Sequence, residues 1–77
     1  MPYIRIKAYP KDEKTKQKVV EEINEIFLKN WGCPQEALCI SIEEVDPDNW
    51  NDNVREVEIL PNKDKMMILD GKKQYTK

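Results

Sequence analysis

Met1-Pro2-Tyr3-Ile4-Arg5-Ile6-Lys7 alternates two kinds of side chain. Pro2, Ile4, Ile6 and then Ala8 fall on one side; Tyr3, Arg5, Lys7 and Tyr9 fall on the other. A period of two marks a strand with one covered face. Pro10 ends that strand, and Lys11-Asp12-Glu13 turns into a helix with Asp12 as its N-cap. The spacing predicts a helix over Glu13–Asn30, in which Val19, Val20, Ile23, Ile26, Phe27 and Trp31 form one apolar stripe. Gly32 suits the C′ position, and Pro34 follows it. A second strand is expected over residues 38–45, where Leu38, Ile40 and Ile42 alternate with Cys39, Ser41 and Glu43. Strand, helix and strand make a βαβ unit of the α/β (α+β) class, with parallel strands and a right-handed crossover.

The remainder reads as a short helical C-terminal extension. Asp48 is a candidate cap for a turn beginning near Asn49, with Val54, Val57 and Trp50 on its apolar side. Pro61 opens a new piece, and residues 62–69 read as helical, although Met66-Met67-Ile68-Leu69 also suits a short strand. Asp70-Gly71 is a turn signal, and residues 72–77 read as a short strand or a tail.

A chain of 77 residues is enough for one domain, residues 1–77. A domain of this size buries only about 60% of its unfolded surface, so it needs a staple or a partner. Cys33 and Cys39 lack CxxC spacing, and no signal peptide precedes them, so a cytoplasmic chain without a disulfide is expected. No stretch is long and apolar enough to suggest a membrane span. A two-stranded sheet under one helix leaves open edges, so oligomerisation that extends the sheet is the expected staple.

The sequence contains no histidine, which removes the commonest general base and the commonest metal ligand. No metal site is expected from the two cysteines and scattered carboxylates. The formal charge is −2, with net basic ends around a net acidic middle. That balance argues against a nucleic-acid partner and suits a small anionic substrate gathered by the basic ends.

Pro2 is the residue with unusual chemistry to offer. Inside a chain a proline nitrogen is an amide without a proton. After removal of Met1 it is a secondary amine. A free α-amino group has an ordinary pKa of about 7.7–8.0, and desolvation or nearby cations lower it. Such an amine can serve as a base.

Four stretches together carry a family likeness: Met1-Pro2 with Ile4-Arg5-Ile6-Lys7; Ile40-Ser41-Ile42 followed by Val45; Pro47 with Trp50; and Glu58-Ile59 followed by Pro61. In these the chain resembles the 4-oxalocrotonate tautomerase superfamily, and more closely its dimeric bacterial members that act on phenylpyruvate-like enols. The resemblance implies a cofactor-free keto–enol tautomerase with Pro2 as general base, and a homodimer, with a hexamer as the alternative. Lys11 stands close to an arginine that founding members place after the first strand. Cys39 stands where they place a second arginine. A neutral Cys39 points away from a diacid and towards a monoacid with an apolar tail. Trp50 falls where the family has an aromatic pocket wall, and Arg55 is a candidate replacement cation. Two alternatives stay open: a non-catalytic oligomeric module that keeps the fold, and another proline-dependent reaction such as dehalogenation or decarboxylation.

Overall fold

The computed structural model describes residues 2–76. Met1 and Lys77, which end two of the stretches read above, lie outside the described residues. The chain falls into two compact units, residues 1–45 and 46–77.

In the first unit the expected βαβ order is present. Strand β1 spans Tyr3–Ala8, helix α1 spans Glu13–Asn30 and strand β2 spans Cys39–Glu44. The strands pair in parallel, from Tyr3 opposite Cys39 to Ala8 opposite Glu44. The ladder runs one residue past each end: Cys39 N–H donates to the Pro2 carbonyl at 3.2 Å, and Val45 N–H to the Ala8 carbonyl at 2.8 Å.

Local chemistry sets both ends of α1. The Asp12 carboxylate accepts the Thr15 N–H at 2.9 Å and the Thr15 hydroxyl at 2.7 Å, satisfying a donor that the first helical turn leaves without a partner. At the other end Gly32 takes φ +76, the left-handed value that a residue without Cβ adopts freely. A 3₁₀ turn over Gln35–Ala37, which the sequence reading did not anticipate, leads into β2. Its Gln35 amide donates to the Asn24 side chain at 3.0 Å and ties that turn back to α1.

Helix α1 covers one face of the sheet. Ile6, Ala8, Val19 and Ile42 line one cleft beside the helix, and Val20, Leu38 and Ile40 line another. The cover is partial. No residue of α1 is buried, and Val19, Ile26 and Trp31 remain 40%, 57% and 69% exposed. The opposite face carries Tyr3, Arg5 and Lys7 beside Cys39, Ser41 and Glu43, with Arg5 paired to Glu43 at 3.2 Å.

The second unit begins with a 3₁₀ turn over Pro47–Asn49. Its cap is Asp46, whose carboxylate accepts the Asp48 N–H at 2.9 Å, and not Asp48 as the sequence suggested. Pro47 fixes the reason. Its ring favours the first helical position and holds the preceding residue extended, which is the N-cap conformation.

Residues Asn51–Ile59 then form a π-helix, closed by Leu60 N–H donating five residues back to the Arg55 carbonyl. Widening the turn moves Val57 off the side that Val54 occupies, so Val54 is 4% exposed and Val57 57%.

A 3₁₀ segment follows over Leu60–Lys65, broken at Asn62, whose side-chain amide donates to the Glu58 carbonyl at 2.8 Å. The helical reading of residues 62–69 therefore holds only to Lys65. Ile68–Leu69 forms strand β3, antiparallel to β4 at Lys72–Lys73, so the strand alternative applies there. Asp70 and Gly71, at φ 50 and φ 81, make the two-residue type I′ turn that suits a right-twisted hairpin.

Candidate functional site

The strand ladder places three of the five candidate residues. Pro2 leads into β1 and is half-buried, with its carbonyl held by the Cys39 N–H. Pro2 and Cys39 are thus neighbours at one end of the sheet. Cys39 is an exposed free thiol.

Lys11 lies beyond the other end. Its backbone N–H donates to the Glu44 carboxylate at 3.0 Å, and Glu44 is the last residue of β2. Five steps of β1, at about 3.3 Å each, separate Tyr3 from Ala8 by about 17 Å. The backbones of Pro2 and Lys11 in one chain thus stand at opposite ends of the sheet.

Glu44 organises the Lys11 end. Its carboxylate also pairs with Lys16 Nζ at 3.2 Å, and Lys16 pairs in turn with Glu13 at 3.2 Å. The Lys11 N–H, followed by the Lys16 ammonium, holds the Glu44 carboxyl below the ordinary carboxylate range. The Glu44 and Glu13 carboxylates hold the Lys16 ammonium above its usual value. Lys11's own ammonium forms no ion pair among the described residues. Lys11 lines a cleft of about 210 Å³ with Thr15 and Lys16 and with the apolar or aromatic Ile6, Ala8, Tyr9, Val19 and Ile42; of its two cations, Lys16 is already paired with Glu13 and Glu44.

Asp12 is lowered in the same way as Glu44, by the Thr15 hydroxyl and N–H. Both carboxylates bind protons more weakly in the folded chain than in the unfolded one. Their stabilising effect is therefore present above the ordinary carboxylate pKa and is lost as pH falls through the lowered folded values. The thermal midpoint is expected to drop as the pH falls below about 5. Glu44→Gln should flatten that drop, and an unaltered drop would exclude Glu44 from it.

Trp50 and Arg55 belong to the second unit. Trp50 is half-buried and closes the Pro47–Asn49 turn through its N–H on the Pro47 carbonyl. Arg55 forks onto Asp70, Nη1 to Oδ1 at 3.0 Å and Nη2 to Oδ2 at 3.2 Å. The bond holds the guanidinium above its usual pKa and the Asp70 carboxyl below its own.

Glu44 and Asp70 are the residues that sequence reasoning missed. Asp70 carried a signal only for its turn. Glu44 carried none, because its partner Lys11 lies 33 positions away. Among the described residues, no three His, Cys, Asp or Glu side chains gather as a metal-binding group, and no helix is long and apolar enough to cross a membrane.

This arrangement agrees with comparison against known proteins. The tautomerase family, described as "Tautomerase enzyme", matches residues 2–52. The chain belongs to that family and groups with its bacterial members; it is an isomerase with tautomerase activity. It is 29% identical over 73 residues to Tautomerase PptA of Pectobacterium carotovorum subsp. carotovorum, the match covering 92% of this chain and 96% of that protein. Tautomerase PptA of Cronobacter sakazakii is 26% identical, and that of an Escherichia coli strain 25%, each over the same shares.

Proposed function

We propose that the chain is a cofactor-free keto–enol tautomerase of small 2-keto acids of the phenylpyruvate type, with the amine of Pro2 as its base after Met1 is removed. One observation carries the reading: the family match opens at residue 2, on the residue that leads into β1 and is pinned there by Cys39. In the enol-to-keto direction the neutral amine takes the enol hydroxyl proton, and the resulting ammonium delivers a proton to carbon 3. A base of this kind needs a pKa near working pH and reach to the proton, and a rigid strand end supplies fixed reach. The substrate's carboxylate and the developing enolate charge each call for a cation, roles for which Arg55 and Lys11 are the candidates. Trp50 supplies an aromatic wall. Cys39, uncharged beside Pro2, favours a single carboxylate over a diacid.

The geometry of β1 adds an assembly to this proposal. A site that uses both Pro2 and Lys11 draws them from different copies of the chain. A homodimer supplies this, and it also covers the apolar surface of α1 that one chain leaves open. Such coupling makes stability depend on concentration. The melting temperature is expected to rise as protein concentration rises, and light scattering should give at least two chains per particle. A monomer melting at one temperature at all concentrations would exclude the assembly.

The direct test is ketonisation of phenylenolpyruvate, followed by ultraviolet absorbance. It should use protein whose free Pro2 is confirmed by intact mass, run beside Pro2→Ala. A rate no faster than buffer would remove the substrate, and equal rates would remove Pro2.

A further inference from the structure

Arg55, in the π-helical segment, and Asp70, in the β3–β4 turn, are 15 positions apart in sequence and meet through two parallel N–H···O bonds of 3.0 and 3.2 Å. This end-on fork is how a guanidinium takes any carboxylate, including that of a substrate. Asp70 therefore occupies the edge of Arg55 that a bound acid would use best.

The backbone presents Asp70 for that contact. It stands at φ 50, a left-handed position that aspartate tolerates, followed by Gly71 at φ 81. The register of the hairpin, Leu69 opposite Lys72, fixes those two residues as the turn. The pair is nonetheless open to solvent, with the Asp70 side chain 60% exposed and that of Arg55 35%. Exposed ion pairs are weak and exchangeable, so an anion with additional contacts of its own can displace the aspartate.

We infer that Asp70 is a specificity-determining residue, an internal stand-in for the substrate's carboxylate that occupies Arg55 until an acid displaces it. The inference rests on the proposed role of Arg55 as a substrate cation. Asp70 raises the threshold for every acid that binds through Arg55. It leaves binding unaffected for an enol without a carboxylate. Acids that reach Arg55 with an apolar tail also seated are favoured over small anions that have only charge to offer.

Asp70→Asn tests this, because asparagine keeps the left-handed turn and loses the charge. Its KM for phenylenolpyruvate should fall about two- to fivefold, the scale of an exposed ion pair, with the change on KM rather than kcat. Arg55→Ala should raise KM, and adding Asp70→Asn to Arg55→Ala should give no fall. The enol of methyl phenylpyruvate, which has no carboxylate, should show no response to Asp70→Asn. A KM that is unchanged or higher in Asp70→Asn, unchanged in Arg55→Ala, or lowered equally without Arg55 or with the ester would overturn the inference. Failure of the Pro2 assignment is read separately, as a kcat that survives Pro2→Ala while these KM shifts persist.

Discussion

Acylating the Pro2 nitrogen, by placing one extra residue ahead of it, is expected to lower kcat/KM for phenylenolpyruvate by about 10²- to 10⁴-fold, the usual contribution of a positioned general base. The change adds an amide and takes nothing from the fold, since Pro2 contributes its carbonyl, not its nitrogen, to the strand ladder. Pro2→Ala is the milder form of the experiment. It leaves a primary amine at nearly the same place but loses the ring that fixes the nitrogen's direction. Its loss should therefore fall at the lower end of that range. The unmodified enzyme should gain kcat/KM as pH rises through the amine's pKa and level off above it, because only the neutral amine accepts a proton. The acylated form should lose that limb. A tenfold or smaller loss with the limb intact would place the base elsewhere.

Mixing two crippled proteins should restore activity. Pro2→Ala impairs the base, and Lys11→Ala removes a cation whose charge-assisted bonds are expected to matter by about tenfold or more. If a site takes Pro2 from one copy and Lys11 from another, random exchange between equal amounts of the two variants makes about one site in four fully intact. The mixture should therefore recover about a quarter of wild-type activity, well above either variant alone. This follows from the ladder, which puts Pro2 beside Cys39 and Lys11 beside Glu44 at opposite ends of a six-residue strand. A mixture no more active than the average of its components would mean that each chain builds its site alone, or builds it without Lys11.

What was legible in the sequence was what local chemistry decides. The bounds of α1, Glu13–Asn30, follow from Asp12 before it and Gly32 after it, each of which acts within a few residues. The two strands followed from alternation of isoleucines, and the Asp70-Gly71 turn from its dipeptide. What was illegible needs either fine backbone detail or distant partners. Whether the stretch after Trp50 winds as an α- or a π-helix turns on one residue per turn, which no apolar pattern of nine residues distinguishes. The cap at Asp46 was obscured by Asp48, an equally good capping residue two positions on. The Glu44 carboxylate under Lys11 and the Asp70 carboxylate on Arg55 are tertiary contacts, and a charged residue read alone carries no address for its partner. Pro2 could be nominated for its chemistry from the sequence, but its separation from Lys11 could not be known until the register of β1 and β2 was.

The parallel pairing of β1 with β2 also dictates an order of events in folding. Each matched pair, from Tyr3 with Cys39 to Ala8 with Glu44, spans the same 36 positions, 39 minus 3. No short hairpin nucleates such a sheet, and the first contact must close a loop holding all of α1. The helix, with its ends set locally, is positioned to form first and to bring the two strands together across it. On the ribosome β1 stays without its neighbour until residue 44 has emerged, so the earlier-made strand of the pair must wait for the later one.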